Sequence, residues 1–502
     1  MVTVFSCSEK FLGFLYRVFL SRELGSEGLG LYQIALSFLG LFMTLTTSGV
    51  PITVSRSMIK YREEGKPERN GSVVSAGILT TLFISVPITA LVISRCPITD
   101  FLFSDKRSAE LLSAVIPGLI ITSVYAVIRG TFWGNERFLT YSLIELLEEI
   151  VMVVAGIILV KNATDMFQST KRAMYAVLIS YVFSFVASLT AYFVKGGKLS
   201  SPKNELKPLF VSSAPITFMR TATSLINTLI AILLPARLIR YGMAEAEAVS
   251  EFGKVFGMAF PLIFMPSTFI GSLALVIVPE LSSDYYSGNF KTLKNNVEKA
   301  VKFSVFIACA IIPVFLFGGE ALGNVIYADA IAGNYVKKGA VTMLPMSLTI
   351  ITTSILNSLN KERQTLVYYL GGAAALVASI IFLPKYLGVN SMIFGMILSY
   401  LITALLNVRA VIKVCPEKPS LVSYIVRGTA FIIPSYLAGY FLNNLISPVL
   451  GEFLSLVLSA ALSGGFSLAL FYIFGMLDFN GKNQAFSSVA FFRRGKKTKR
   501  RA

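Results

Sequence analysis

Apolar runs of about 20 residues, separated by short polar breaks, follow one another along almost the whole chain, and that is the length an α-helix needs to cross roughly 30 Å of hydrocarbon. Hydropathy marks about fourteen such windows, near 4–21, 29–55, 72–94, 110–134, 141–160, 173–194, 208–236, 253–279, 300–318, 339–359, 364–384, 389–412, 424–446 and 452–477. A spanning segment must satisfy its backbone hydrogen bonds internally, and the roughly ten-residue alternating segments of barrel strands are absent, so the windows predict helices. The first window contains Glu9, Lys10 and Arg17. It lacks a small-residue cleavage site after a clean apolar core and therefore reads as a retained helix, not a signal peptide.

Composition agrees with this pattern. Hydrophobic residues make up 55% of the 502, charged residues 14%, and the mean hydropathy is +0.71, values that exclude an ordinary soluble domain. The net charge of +18 comes from 45 Lys and Arg set against 27 Asp and Glu. The basic residues gather in alternate breaks, among them "SRSMIKYREEGKPERNG" after the second window, and in the tail "FFRRGKKTKRRA". Positively charged loops stay inside, so both termini are placed in the cytoplasm of a plasma-membrane protein. The same basic segments predict attraction to anionic membrane lipids, and nucleic acid is not expected as a partner.

Several chemistries are excluded. The chain has no histidine, which removes Ser-His-Asp and Cys-His catalysis, the H-E-x-x-H zinc site and histidine proton relays. Cys7, Cys96, Cys309 and Cys415 are too scattered for a metal or redox motif. No P-loop is present. The expectation is a protein that is not an enzyme, needs no cofactor or metal, and draws on an ion gradient or the membrane potential.

Internal repetition organises the windows. "GTFWGNERFLTYSLIELLEEIVMVVAGIILV" (130–160) matches "NSLNKERQTLVYYLGGAAALVASIIFLP" (357–384) in layout at a displacement of 226, and Pro51 matches Pro279 at 228. A weaker echo pairs "FLSRELG" (19–25) with "RLIRYGM" (237–243) at a shorter shift. This predicts an all-α integral membrane protein with two six-helix pseudo-repeat lobes, 1–195 and 208–413. A cytoplasmic linker (196–207) joins them, two further helices occupy 414–478, and a basic cytoplasmic tail covers 479–502.

The seventh window, leading the second lobe, carries the most unusual stretch. In "SAPITFMRTATSLINTLIA" (213–231), Ser213, Thr217, Arg220, Ser224 and Asn227 fall within about 80° of one helix face, with Thr221 and Thr228 beside them. An arginine at mid-membrane costs roughly 2.5–3.5 kcal/mol on insertion scales, so Arg220 should face a watery cavity or a carboxylate. Arg17 and Arg22 mark the leading helix of the first lobe, and Arg237 and Arg240 are their repeat counterparts. Guanidinium groups from two leading helices suit an anion of high charge density such as a pyrophosphate, while interfacial snorkelling is the plain alternative for Arg22, Arg237 and Arg240. In the fifth window, Glu145, Glu148 and Glu149 share about 100° of arc and must be paired, protonated or occupied by a cation. Arg129 and Arg137 are the candidate partners, and the group reads either as a structural ion-pair network or as a gate or ion-coupling site. Asn357 and Asn360 are candidates for lining the same cavity as Arg220.

The segment "LGFLYRVFLSRELGSEGLGLYQIALSFLGLFMTLTTSGVPITVSR" (12–56), followed by the basic loop and the "GTFWGNER" turn, resembles the stage V sporulation protein B family of spore-forming Gram-positive bacteria. That family sits in the multidrug/oligosaccharidyl-lipid/polysaccharide flippase superfamily, with bacterial lipid II flippases as relatives. The resemblance implies a MATE-like two-lobed fold whose central cationic cavity moves a lipid-linked saccharide, an undecaprenyl-diphosphate peptidoglycan precursor such as lipid II, by alternating access. It implies Arg17, Arg22 and Arg220 as cavity residues, with Thr217, Ser224 and Asn227 beside them, and cell-wall synthesis machinery as a partner. Members commonly carry Gln after the fifth-window Glu, whereas here Glu148 is followed by Glu149, which leaves ion coupling open. A multidrug or cation efflux transporter of the same superfamily is the alternative function.

Overall fold

The computed structural model describes residues 2–94, 103 and 105–477, so the predicted basic tail 479–502 lies outside the described residues, as do the side chains of Cys7 and Cys96. Among the described residues every regular element is helical. Among the described residues nine helices are long and apolar enough to span a membrane, or up to eleven if each of two bent pairs is one span. The chain is a multi-pass membrane protein, and its count by this criterion is lower than the hydropathy windows.

The difference has local causes. The break expected between the first two windows is a single residue, Gly25, at φ 66° inside helix α1 (Val2–Thr47). Gly451, at φ 76°, interrupts the last long helix (Ile432–Ile473) in the same way. Glycine is the residue that reaches this left-handed region without a Cβ penalty. The second window breaks earlier than its apolar run: α2 (Val50–Glu63) starts afresh after Gly49, with Pro51 in its first turn, where proline's fixed φ and missing N–H suit a helix start. After α3 (Asn70–Ile93), a bend of 45° separates α4 (Lys106–Val115) from α5 (Pro117–Gly134); Ile116 between them keeps helical dihedrals, and Pro117, which has no N–H to donate, starts the second helix. Helix α6 (Phe138–Lys161) holds the three clustered glutamates, which sets it apart from the purely apolar spans. Helices α7 (Met166–Val194) and α8 (Leu206–Arg240) complete the first half. Beyond them α9 (Glu245–Phe252) runs into a π-helical stretch, Gly253–Ala259.

The chain divides into two compact units. One comprises Met1–Leu262, Leu322–Gly339 and Gly372–Ser399; the other comprises Ile263–Ala321, Ala340–Gly371 and Tyr400–Ala502. The first has a core of Val50, Val54, Val73, Val74, Val127 and Ile128 where α2, α3 and α5 meet. The second is built on Val297, Val301, Val305, Ile351, Ile355 and Val411. Arg17 and Arg220 both belong to the first unit.

The repeat signal has a structural counterpart. After α5, Glu136 sits at φ 56°; its N–H reaches Trp133 O at 3.1 Å, and the Arg137 N–H reaches Phe132 O at 2.8 Å. In the second half Asn360 sits at φ 59°, with Asn360 N to Asn357 O at 3.1 Å and Lys361 N to Leu356 O at 2.9 Å. Both are Schellman caps, which end a helix by folding two late N–H groups back onto its open carbonyls. The two left-handed residues lie 224 positions apart, two short of the "ER" alignment, because the left-handed residue and not the charged pair defines the turn. Asn360 is thus a turn residue, and Asn357 accepts a hydrogen bond from the Thr365 hydroxyl at 3.0 Å.

"GTFWG" is a small-xxx-small contact. A Cβ at Gly130 would stand 2.6 Å from Pro51 O, and one at Gly134 would stand 3.1 Å from Ser55 O. The two glycines let α5 lie directly on the α2 backbone, the kind of approach that stabilises helix pairs in lipid through packing. Gly130→Ala is expected to lower stability by about 1–3 kcal/mol through overpacking, whereas Gly40→Ala, with nothing within 4 Å, should leave it unchanged. Thermal unfolding of the two purified variants checks this; equal melting temperatures would contradict the close contact.

Candidate functional site

The first half of α1, with α5, α6 and α7, assembles a polar cluster inside the first unit. Arg129 on α5 places Nη1 at 3.4 Å from Glu145 Oε1 on α6. Its guanidinium lies 5.2 Å from the Trp133 ring centroid and 5.9 Å from that of Tyr125, so two aromatic faces and one carboxylate share its charge. Arg137, the other expected partner, is turned away and donates to Lys195 O at 3.5 Å. Its Cα follows the Schellman turn that ends α5, which points the side chain toward the end of α7.

The three glutamates of α6 do not converge. Glu145 takes Arg129, Glu148 faces Ser184 of α7, and Glu149 turns toward α1. Contact with α1 is close there, since a Cβ at Gly13 would lie 2.9 Å from Glu149 Oε1. Across the same boundary Tyr16 of α1 packs on Gly156 of α6. No group of three or more His, Cys, Asp or Glu among the described residues could hold a metal ion.

A fourth carboxylate joins them. Glu9, half-buried on α1, lies within electrostatic reach of Glu145, Glu149 and Arg129. The signal for it was its presence in the first apolar window, where a charge needs a reason to be.

Arg17 is the second cation of this neighbourhood. It is partly buried, makes no hydrogen bond or ion pair through its side chain among the described residues, and has Tyr32, Tyr327 and Glu149 as ionisable neighbours. The hydroxyls of Tyr16, Tyr125 and Tyr327 and Nε of Arg129 are buried without a partner. Buried polar atoms are nearly always satisfied, so these open groups near Arg17 and Arg129 make the neighbourhood polar and under-bonded within the helical bundle. Arg22 goes elsewhere: its Nε donates to Ile326 O at 2.9 Å, and an Nη donates to Val325 O. Both acceptors lie in the last turn of the helix Phe290–Tyr327, where a cation also meets the negative end of the helix dipole.

On α8 the polar arc divides along its length. Thr217 and Ser213 pack over Gly49, and Thr228 donates to Ser37 O of α1 at 2.9 Å. Arg220 and Asn227, on the other edge of the arc, are exposed, and Ser224 lies between at half burial. Arg220 has no hydrogen bond or ion pair through its side chain among the described residues, and none links it to Arg17 or Arg22. The fold therefore gathers Arg17, Arg129, Glu145, Glu148 and Glu149 into one electrostatic neighbourhood, commits Arg22 to a helix end, and leaves Arg220 open.

An uncompensated charge in a largely buried site destabilises, and removing its partner relieves part of the loss. Arg129→Gln is expected to cost about 1–3 kcal/mol, less than a fully buried pair because both groups keep some exposure, and Glu145→Gln made on that background should recover part of it. A double-mutant cycle read by thermal unfolding checks the coupling; strictly additive effects would contradict it.

The chain matches the polysaccharide biosynthesis protein family over residues 1–284. Stage V sporulation protein B of Bacillus subtilis (strain 168) is 24% identical to it over 447 residues, which is 86% of each chain. Among solved structures, the lipid II flippase MurJ in its inward closed conformation superimposes with a TM-score of 0.75 at 14% identity, covering 94% of this chain and 98% of that one. An inward-facing multidrug resistance MATE family transporter of the MOP superfamily gives a TM-score of 0.66 at 15% identity, covering 85% and 95%. The all-helical, MATE-like architecture expected from the sequence is the one found.

Proposed function

The chain belongs to the polysaccharide biosynthesis protein family, and on that premise we propose that it is a flippase that carries a lipid-linked saccharide across the plasma membrane. The substrate class is an undecaprenyl-diphosphate precursor of the lipid II type, moved by alternating access between the pseudo-repeat lobes 1–195 and 208–413, with both termini cytoplasmic. The observation that carries this reading is the unpaired state of Arg17 and Arg220. Two guanidinium groups without a direct ion pair inside membrane-spanning helices are expensive to hold, and a diphosphate supplies contacts that offset them through bidentate hydrogen bonds. Asn227 and Ser224, beside Arg220, provide neutral donors and acceptors for sugar hydroxyls. The similarity to Stage V sporulation protein B and to the lipid II flippase fold supports the same assignment, and with it a plasma membrane of a spore-forming Gram-positive cell and a link to cell-wall synthesis.

The carboxylates have a place in this scheme as a gate or coupling site. Glu145, Glu148, Glu149 and Arg129, with Glu9 added, sit beside Arg17 rather than around Arg220. Protonation or cation entry there would change the charge that Arg17 sees and so bias which face is open.

One observation favours a second reading. The carboxylates, with Tyr141 against Glu145 and Trp133, and Tyr125 and Trp133 against Arg129, also form an environment suited to organic cations. Purified protein in proteoliposomes, given fluorescent lipid II or a fluorescent organic cation, separates the two. Arg220→Ala is expected to lose at least about tenfold in lipid II translocation with insertion intact, as the loss of a charge-assisted phosphate contact predicts. Wild-type flipping by that variant, or cation transport without lipid II transport, would overturn the assignment.

A further inference from the structure

A cavity of ≈ 390 Å³ opens in the first unit, and its lining contains none of the residues of the Arg17–Arg129–glutamate cluster. It lies where four segments meet: the α2–α3 connection, the Schellman turn between α5 and α6, the end of α7, and the linker into α8. Its size falls in the lower part of the range of about 300–1,000 Å³ typical of small-molecule sites.

The walls are held by specific bonds. The Tyr192 hydroxyl donates to Lys198 O at 2.8 Å, and Ser200 N donates to Ser75 Oγ at 3.3 Å. Arg62 Nη2 ties α2 to the α5–α6 turn through Gly134 O at 2.6 Å and Asn135 Oδ1 at 3.0 Å. The Tyr61 hydroxyl bonds both Glu205 oxygens at 2.8 and 2.9 Å, which anchors the start of α8 to α2. Glycine is required where the linker passes: a Cβ at Gly71 would stand 2.7 Å from Lys198 O. The cavity is therefore built and not a gap between loose loops.

Its charge is unbalanced. Arg137, Lys195 and Lys198 line it together with one carboxylate, Glu68, and none of the three cations makes an ion pair among the described residues. Arg137 is spent only on the long contact to Lys195 O, and Lys195 Nζ on the Thr140 hydroxyl. Asn70 adds a different demand. Its Oδ1 is buried without a donor, and an ionised phosphate diester has no hydrogen to give it, whereas a free hydroxyl on its alcohol does.

We propose that this cavity is a binding site for a phosphate ester that carries a free hydroxyl, the phosphate held by Arg137, Lys195 and Lys198 and the hydroxyl donated to Asn70. The chemistry is that of a phosphatidylglycerol headgroup, and equally that of soluble glycerol phosphate. Occupancy fastens the α7–α8 linker to the α2–α3 and α5–α6 turns, so the ligand stabilises the fold of the first unit independently of what the chain transports.

The test is thermal unfolding of the full-length protein in detergent, titrated with dihexanoyl phosphatidylglycerol, dihexanoyl phosphatidylcholine, glycerol phosphate or inorganic phosphate. Phosphatidylglycerol is expected to raise the melting temperature saturably, with an affinity at least about tenfold weaker in Arg137→Gln/Lys195→Gln, as loss of charge-assisted contacts predicts, and phosphatidylcholine is expected to give no such response. An equal, variant-sensitive response to glycerol phosphate assigns the site to the soluble ester. Asn70→Asp keeps the side chain's shape and places a negative charge in the cavity; it should weaken binding even where the double variant is too unstable to measure. Stabilisation by phosphatidylglycerol that neither variant alters, a matching response to phosphatidylcholine, or no saturable response to either phosphate ester would overturn the proposal.

Discussion

A charge or a bare peptide group inside hydrocarbon must find a partner, and that requirement shapes nearly every polar feature of this chain. Arg129 meets it with Glu145 and two aromatic faces. Arg22 meets it with the open carbonyls of a helix end. The same rule acts on the backbone, since the turns at Glu136 and Asn360 close their helices with folded-back N–H groups. Against that background Arg17, with Glu149 within electrostatic reach but no ion pair, and Arg220, with no carboxylate partner at all among the described residues, stand out as the guanidinium groups that the fold leaves without a direct contact.

Packing accounts for a different set of residues. The motifs that carry the family resemblance, "GLGLYQ", "SGVP" and "GTFWGNER", owe much of their form to helix contacts. Gly30 meets the Val249 backbone, Gly49 lets Ser213 and Thr217 of α8 come close, and Gly130 and Gly134 lie on α2. Without a hydrophobic drive between helices in lipid, such close approach is what holds the bundle. These glycines therefore report the architecture more directly than the cargo, which is why architecture is shared with transporters of different named substrates.

The first unit thus carries two separate polar centres. One lies along α1, α5, α6 and α7, where Glu9, Glu145, Glu148 and Glu149 share a neighbourhood with Arg17 and Arg129. The other is the basic cavity beside the linker, where cations are not matched by carboxylates and Asn70 wants a donor. The α5–α6 turn touches both, since it directs Arg137 away from the glutamates and into the cavity lining.

Helix type and membrane residence were legible from apolar length and from glycine and proline placement, because these are local properties of a segment in hydrocarbon. The unusual residues were legible too: Arg220, Arg17 and the α6 glutamates announce themselves by being charged where charge is costly. Their partners were not. A helical wheel puts Glu145, Glu148 and Glu149 on one face, yet the fold sends them to Arg129, to Ser184 and toward Gly13 of α1, and it recruits Glu9 from 136 residues before Glu145. It also splits the α8 arc, burying Ser213 and Thr228 against other helices while Arg220 and Asn227 stay open. Sequence periodicity orients a side chain about its own helix axis, but which helix stands opposite depends on close contacts such as Gly130 on Pro51, and those exist only once the helices have packed.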